Sequence, residues 1–91
     1  MITPISVGTA AIVAVPRNVN RVKIVFQNNG ATTLFFYRNP NIPSATNYEF
    51  LLEPGTITGN DSGFSTNSIS QFNVVSSAAG GVLSMFETVT V

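Results

Sequence analysis

Acid–base or nucleophilic chemistry in this chain could begin from very few side chains. There are four carboxylates, Glu49, Glu53, Asp61 and Glu87, and one amine, Lys23, with neither histidine nor cysteine. A serine nucleophile needs a base to take its proton, and Lys23 lies in an alternating segment with no serine patterned beside it. Glu49 and Glu53 are the one carboxylate pair at short spacing. On a shared strand an interval of four separates them by about 13 Å, too far for the paired-carboxylate geometry of glycoside hydrolysis. Both therefore read as solvated strand residues. Asp61, between Asn60 and Ser62, offers one carboxylate where calcium takes about six to eight oxygens. Such a loop binds an ion only if main-chain carbonyls supply most of the rest. Gly80-Gly81 lacks the lysine and the following helix of a phosphate loop. The expectation is a protein that is not an enzyme and carries no cofactor and no metal.

The elements that position these residues read as strands. Within RVKIVFQNNGATTLFFYR, residues 21–38, Val22, Ile24 and Phe26 alternate with Arg21, Lys23, Val25 and Gln27, the period of two that sends neighbouring side chains to opposite faces. Asn28-Asn29-Gly30 supplies turn formers, with Gly30 expected in the left-handed conformation of a three-residue loop, and an apolar run from Leu34 to Tyr37 follows. The segment predicts a β-hairpin with Gln27 opposite Ala31, Ile24 opposite Leu34 and Val22 opposite Phe36. That register makes one side apolar and leaves Arg21, Lys23, Val25, Phe35 and Tyr37 on the other, cations mixed with large rings. Slipping it by one would set Arg38 against Arg21, a like-charge pair. Aromatics and arginine are enriched at the centres of protein interfaces, which nominates Arg21, Lys23, Phe35 and Tyr37 for recognition. The competing reading is that residues 39–47 fold over that face as a second layer of core.

Turn signals recur along the rest of the chain. Ile5 to Val15, interrupted by Gly8, is extended, as one bent strand or two short ones, and the first ten residues or so are a candidate extended arm. Residues 39–47 hold Pro40 and Pro43 without periodicity, a surface loop. Tyr48 to Glu53 alternates, and Pro54-Gly55 suits the centre of a type II turn with positive φ at Gly55. Thr56-Ile57-Thr58 is β-prone but brief, residues 64–69 read as irregular, and residues 71–76 and 82–91 close the chain as strands. In the last of these Val82 and Phe86 share one face, and Leu83, Met85, Val89 and Val91 share the other. Both faces are apolar. An isolated antiparallel sandwich keeps one face wet, so this strand either switches sides at a bulge or buries a face against another subunit, which adds Leu83, Met85, Val89 and Val91 to the candidate interface. No helical periodicity appears. Six to eight short strands with no helix predict one all-β domain over residues 1–91, an antiparallel β-sandwich or jelly-roll-like barrel.

Composition bounds the partners. Four cations balance four anions for a net charge of zero, so there is no basic stripe for nucleic acid. Charged residues make up 9% of the chain against about 25% in ordinary globular domains, while Ser, Thr, Asn and Gln number thirty-one. A surface this poor in charge self-associates when left bare. It suits a protein covered by neighbours, a homo-oligomer or a component of an assembly. The apolar run from Ala10 to Val15 is far short of the ~20 residues of a spanning helix, and the N-terminal residues lack the basic region of a signal peptide. A mature sequence without membrane contact is expected, and the sequon at Asn60 is read as chance.

The order RVKIVFQNNGATTLFFYR, FLLEPG, SISQFNVVSSAAGGVLSMFE, spanning residues 21–87, resembles short β-rich proteins encoded among the virion structural genes of tailed bacteriophages. In those an arginine opens a strand that ends in a QN-G turn, a proline-glycine turn follows, and the final strand ends near a glutamate. The resemblance implies a capsid decoration, or cement, protein located in the virion after assembly in the host cytoplasm, with the major capsid protein or other virion proteins as partners. A neck, tail or fibre accessory protein, or a carbohydrate- or receptor-binding β-sandwich with Phe35 and Tyr37 as its aromatic platform, is the alternative. The resemblance carries no catalytic residues.

Overall fold

The computed structural model describes residues 2–90. Among them are eight strands and no helix: β1 (Ile2–Val7), β2 (Ile12–Val15), β3 (Arg21–Asn28), β4 (Leu34–Arg38), β5 (Phe50–Leu52), β6 (Gly63–Thr66), β7 (Phe72–Ser76) and β8 (Gly81–Val89). They form two four-stranded sheets in the orders β1-β8-β3-β6 and β2-β7-β4-β5, and every pairing is antiparallel. The pairs β1·β8, β2·β7, β3·β6 and β4·β5 describe a chain folded back on itself around the β4–β5 connection. Rolling that long ribbon adds the contacts β3·β8 and β4·β7 and closes the two sheets. This is the jelly-roll form of the β-sandwich, built of two Greek keys.

The alternating residues enter the core as their period requires, but the central segment is not a hairpin. β3 and β4 belong to opposite sheets, and Gln27 pairs with Ser84 and Gly63, never with Ala31. Ile24, Phe26, Leu34 and Phe36, all 0% exposed, therefore meet across the sandwich instead of side by side. The rings of Phe26 and Phe36 lie 5.1 Å apart, and Phe72 meets Phe26 edge-on at 5.3 Å. Such tilted and edge contacts suit the ring quadrupoles. Val22 does not join them. The register shifts between Arg21 and Lys23, the extra residue of a β-bulge, and Val22 is left exposed.

Asn28 explains why the chain crosses between sheets where a turn was expected. Its side chain is fully buried. Nδ2 donates to the carbonyls of Thr32 at 2.7 Å, Leu52 at 3.1 Å and Glu53 at 3.0 Å, while Oδ1 accepts from the Gly30 N–H at 3.0 Å. One amide thus ties the end of β3 to residues 29–33 and to the end of β5. Gly30 is not left-handed, since positive φ among the described glycines occurs at Gly59 and Gly80. It is needed because a Cβ there would stand 2.9 Å from the Val82 nitrogen. Asn28→Leu is expected to lose about 2 kcal/mol of stability, because the carbonyls and the N–H it served are left buried without partners, measurable as a lower urea midpoint at unchanged m-value.

Elsewhere the expected strands appear with adjusted ends. Residues 5–15 form two strands in different sheets. The segment read as an arm contributes β1, paired along β8 from Ile2↔Phe86 to Val7↔Gly81, with the Val7 side chain in the core. Residues 63–66, read as partly irregular, are strand β6, whereas 56–58 lie in a turn. In β8, Leu83 and Met85 pack inward and Phe86 is exposed. The bulge sits on β3, opposite the end of β8.

Candidate functional site

Of the eight residues nominated from sequence, the seven that the structure describes do not converge. Arg21 is interior, with its side chain 0% exposed. The register shift beside it turns it to the inner face, where Nε meets Glu87 Oε2 at 2.6 Å and the guanidinium donates to the carbonyls of Ser68, Ser70 and Pro16 at 2.8, 2.8 and 2.7 Å. Leu83 is core and Met85 packs against it. These three are therefore corrected from surface candidates to framework. Lys23 is exposed on the outer face of the β1-β8-β3-β6 sheet, beside the cross-strand pair Val25↔Phe86. Phe35 and Tyr37 lie on the outer face of the other sheet, so Lys23 and the rings are on opposite sides of the molecule. Val89 is exposed at the end of β8, and Val91 lies outside the described residues.

Phe35 is buried to 8% exposure, as the competing reading of that face required. The loop of residues 39–49 covers it, with the Tyr48 ring 5.2 Å from Phe35. The loop is fastened by Asn73 Nδ2 donating to the Asn41 carbonyl at 2.9 Å, by Asn39 N–H to the Gln71 carbonyl at 3.0 Å, and by Glu49 N–H to the Phe36 carbonyl at 2.7 Å. Two prolines and many turn formers give it no strand of its own, so its shape comes from these fastenings.

What the fastened loop leaves uncovered is an apolar surface. Ile42 is held at the loop's crest, 63% exposed, and Val13 on edge strand β2 is 50% exposed. Between them run two shallow grooves. One of about 450 Å³ is floored by Phe35 and Val75 and walled by Pro43 and Ala45. The other, of about 300 Å³, is lined by Ile12, Val13 and Asn73. Ala11 and Ile42 line both, and no charged residue lines either. An apolar, uncharged centre bordered by Asn, Gln and Ser is the composition of a protein–protein contact. Ile42 and Val13 were missed from sequence. The one available signal was an isolated isoleucine between Asn41 and Pro43 in an otherwise polar loop, and its meaning depends on what the loop lies against.

The carboxylates are dispersed. Glu49 is engaged by Arg38, Nε to Oε1 at 3.0 Å and a terminal guanidinium nitrogen to Oε2 at 2.7 Å, with the Arg38 side chain 48% exposed. Glu49 and Glu53 flank the three-residue β5 instead of sharing a longer strand. Among the described residues no group of three His, Cys, Asp or Glu is placed to hold a metal ion. Because it is half-exposed, the Arg38–Glu49 pair contributes little: Glu49→Gln is expected to change unfolding free energy by less than about 1 kcal/mol, readable in the same urea titration.

Comparison with models of protein families, with curated proteins and with solved structures finds no match.

Proposed function

We propose that this chain is a non-enzymatic structural protein of a bacteriophage virion, a capsid decoration protein that clamps neighbouring shell subunits. The observation that carries this reading is the uncharged apolar surface over Ala11, Val13 and Ile42 on an outer sheet face, in a chain with very few charges to keep such a face in solution. The resemblance of residues 21–87 to short virion proteins supplies the biological setting. The jelly roll by itself assigns no function. In this reading the partners are the major capsid protein and other copies of the chain, and the place of action is the virion assembled in the host cytoplasm. Neither nucleic acid nor membrane takes part. Stabilisation follows from mass action, since a protein that binds only the assembled shell adds its own binding free energy to the shell's stability.

The test is co-sedimentation of the purified protein with phage heads lacking it, followed by a heat challenge. Saturable binding that protects the heads is expected. Ile42→Asp, at a site 63% exposed and therefore tolerant of the change in the free protein, is expected to weaken binding at least about tenfold by placing a charge in the contact. Absence of binding to heads overturns the decoration reading.

A further inference from the structure

On the side of the sandwich where β5 and β6 form the two sheet edges, three phenylalanines make a stack that leads out of the core. Phe36, fully buried, lies on Phe50 at 4.7 Å and 6°, and Phe50 lies under Phe64 at 4.1 Å and 27°. Phe50 is thus held between two rings, and the outermost ring, Phe64, is 38% exposed. A cleft of about 240 Å³ opens here, mostly polar in its accessible lining, with the exposed Phe64 ring at its side, half-buried Phe50 and buried Phe72 behind it, and Thr66 and Ser68 beside them. Arg38 and Glu49 form its rim and also line an adjoining polar groove of about 420 Å³ with Tyr37, Asn39 and Asn41.

We infer that this cleft is a binding site for a neutral saccharide, with one sugar ring stacked on Phe64 and its hydroxyls bonded to the Arg38–Glu49 pair. The C–H face of a pyranose is apolar and weakly positive, which suits the negative face of an aromatic ring. The rim supplies what hydroxyl groups require. Arg38 has five guanidinium N–H donors and directs two at Glu49, so three remain. Glu49 Oε1 already accepts from Arg38 Nε and from the Arg38 main-chain N–H, which leaves a free lone pair on Oε2. Adjacent donors and acceptors match adjacent hydroxyls, each of which both donates and accepts. Ion pairing leaves the rim without net charge. An anionic ligand would meet the Glu49 carboxylate, and a purely apolar side chain would strip water from the pair without replacing its bonds. The site is separate from the apolar grooves around Ile42, and it moves the aromatic platform from Phe35 and Tyr37 to Phe64, with Tyr37 kept in the polar groove. Because the rim is half-exposed and already hydrated, the expected Kd is on the order of 1 mM, a few kcal/mol from stacking and hydrogen bonds after water is displaced.

The experiment is an amide-resolved NMR titration of the full chain with a panel of neutral disaccharides built from glucose, galactose, mannose and N-acetylglucosamine, with a sialylated and a sulfated sugar alongside. The expected result is a saturable response to at least one neutral sugar, centred on Phe64, Thr66, Arg38 and Glu49. Phe64→Ala is expected to weaken it about tenfold. Since that change also trims the stack, Arg38→Gln and Glu49→Gln are the companion variants. They alter an exposed pair, leave the fold intact and are each expected to weaken binding several-fold, while Ile42→Asp leaves it unchanged. No saturable response up to about 10 mM, binding confined to the acidic sugars, or a response centred on Ile42 and Tyr48 overturns the inference. Head binding and sugar binding are read by different assays and variants, so either can fail alone.

Discussion

Arg21→Met is expected to cost about 3–5 kcal/mol of unfolding free energy, the range for breaking a buried ion pair by removing one partner. Domains of this size hold roughly 5–15 kcal/mol in total, so the variant stands near the edge of folding. The guanidinium is fully buried and serves four acceptors at once: Glu87 on β8, Ser68 and Ser70 before β7, and Pro16 before β3. Removing it orphans three carbonyls as well as a carboxylate. Lysine does not substitute, because one ammonium cannot match a planar fork spread over four partners. Glu87→Gln should also destabilise, because it leaves the fully buried guanidinium without its counter-charge, but by less than Arg21→Met, since Arg21 keeps its three carbonyls and the glutamine amide oxygen can still accept from Nε. The double variant Arg21→Met/Glu87→Gln is expected to recover only part of the loss. Full recovery would mean that the ion pair alone, and not the carbonyl hub, accounts for the effect. Raising salt should change these differences only modestly, since the guanidinium is fully buried and partly buried pairs are screened less than exposed ones. Thermal melts check all three, at about 4–8 °C per kcal/mol for a domain of this length.

The second large effect is expected from the smallest substitution. Gly55→Ala should destabilise the domain by about 3 kcal/mol or more, at the upper end of overpacking changes. A Cβ at residue 55 would stand 1.8 Å from the Asn28 carbonyl oxygen and 2.9 Å from its carbon. The clash is with backbone, at the point where β3 pairs and where the Asn28 amide holds Leu52 and Glu53, so no rotamer change relieves it. Gly55 looks dispensable by exposure, and its φ is not positive. Its requirement is proximity alone. Gly59→Ala, by contrast, meets open space but a φ of 90°, and should cost about 1 kcal/mol from the left-handed backbone. Urea midpoints for the two alanine variants measured side by side test that ordering, and a larger loss at Gly59 would show that backbone conformation outweighs contact in this loop.

How much of this was legible in the sequence can be judged strand by strand. Alternation placed Ile24, Phe26, Leu34 and Phe36 on inner faces correctly, because the period of two is a local property of an extended chain. The all-β class, the absence of a helix and the sandwich architecture follow from short periods broken by Gly, Pro and Asn, and each is observed. The same reasoning failed at Arg21 and Val22, where one extra residue between Arg21 and Lys23 reverses the faces. A bulge leaves no mark in the pattern of polar and apolar residues. It also failed at Gly30 and Gly55, assigned to turn conformations when both are glycines of close approach.

The sequence by itself determined that most of the chain is extended and, away from the bulge at Arg21 and Val22, which faces of those strands are apolar. Only the tertiary structure decided which strands are partners. Period two specifies a face but not a neighbour, so β3 and β4 could satisfy it either side by side or across the core, and the buried Asn28 amide together with the Gly30 approach to Val82 selects the second. From that choice follow the interior position of Arg21, the loop laid over Phe35 with Ile42 at its crest, and the phenylalanine stack ending at Phe64. These sites join residues far apart in the chain, and no local pattern could have brought them together.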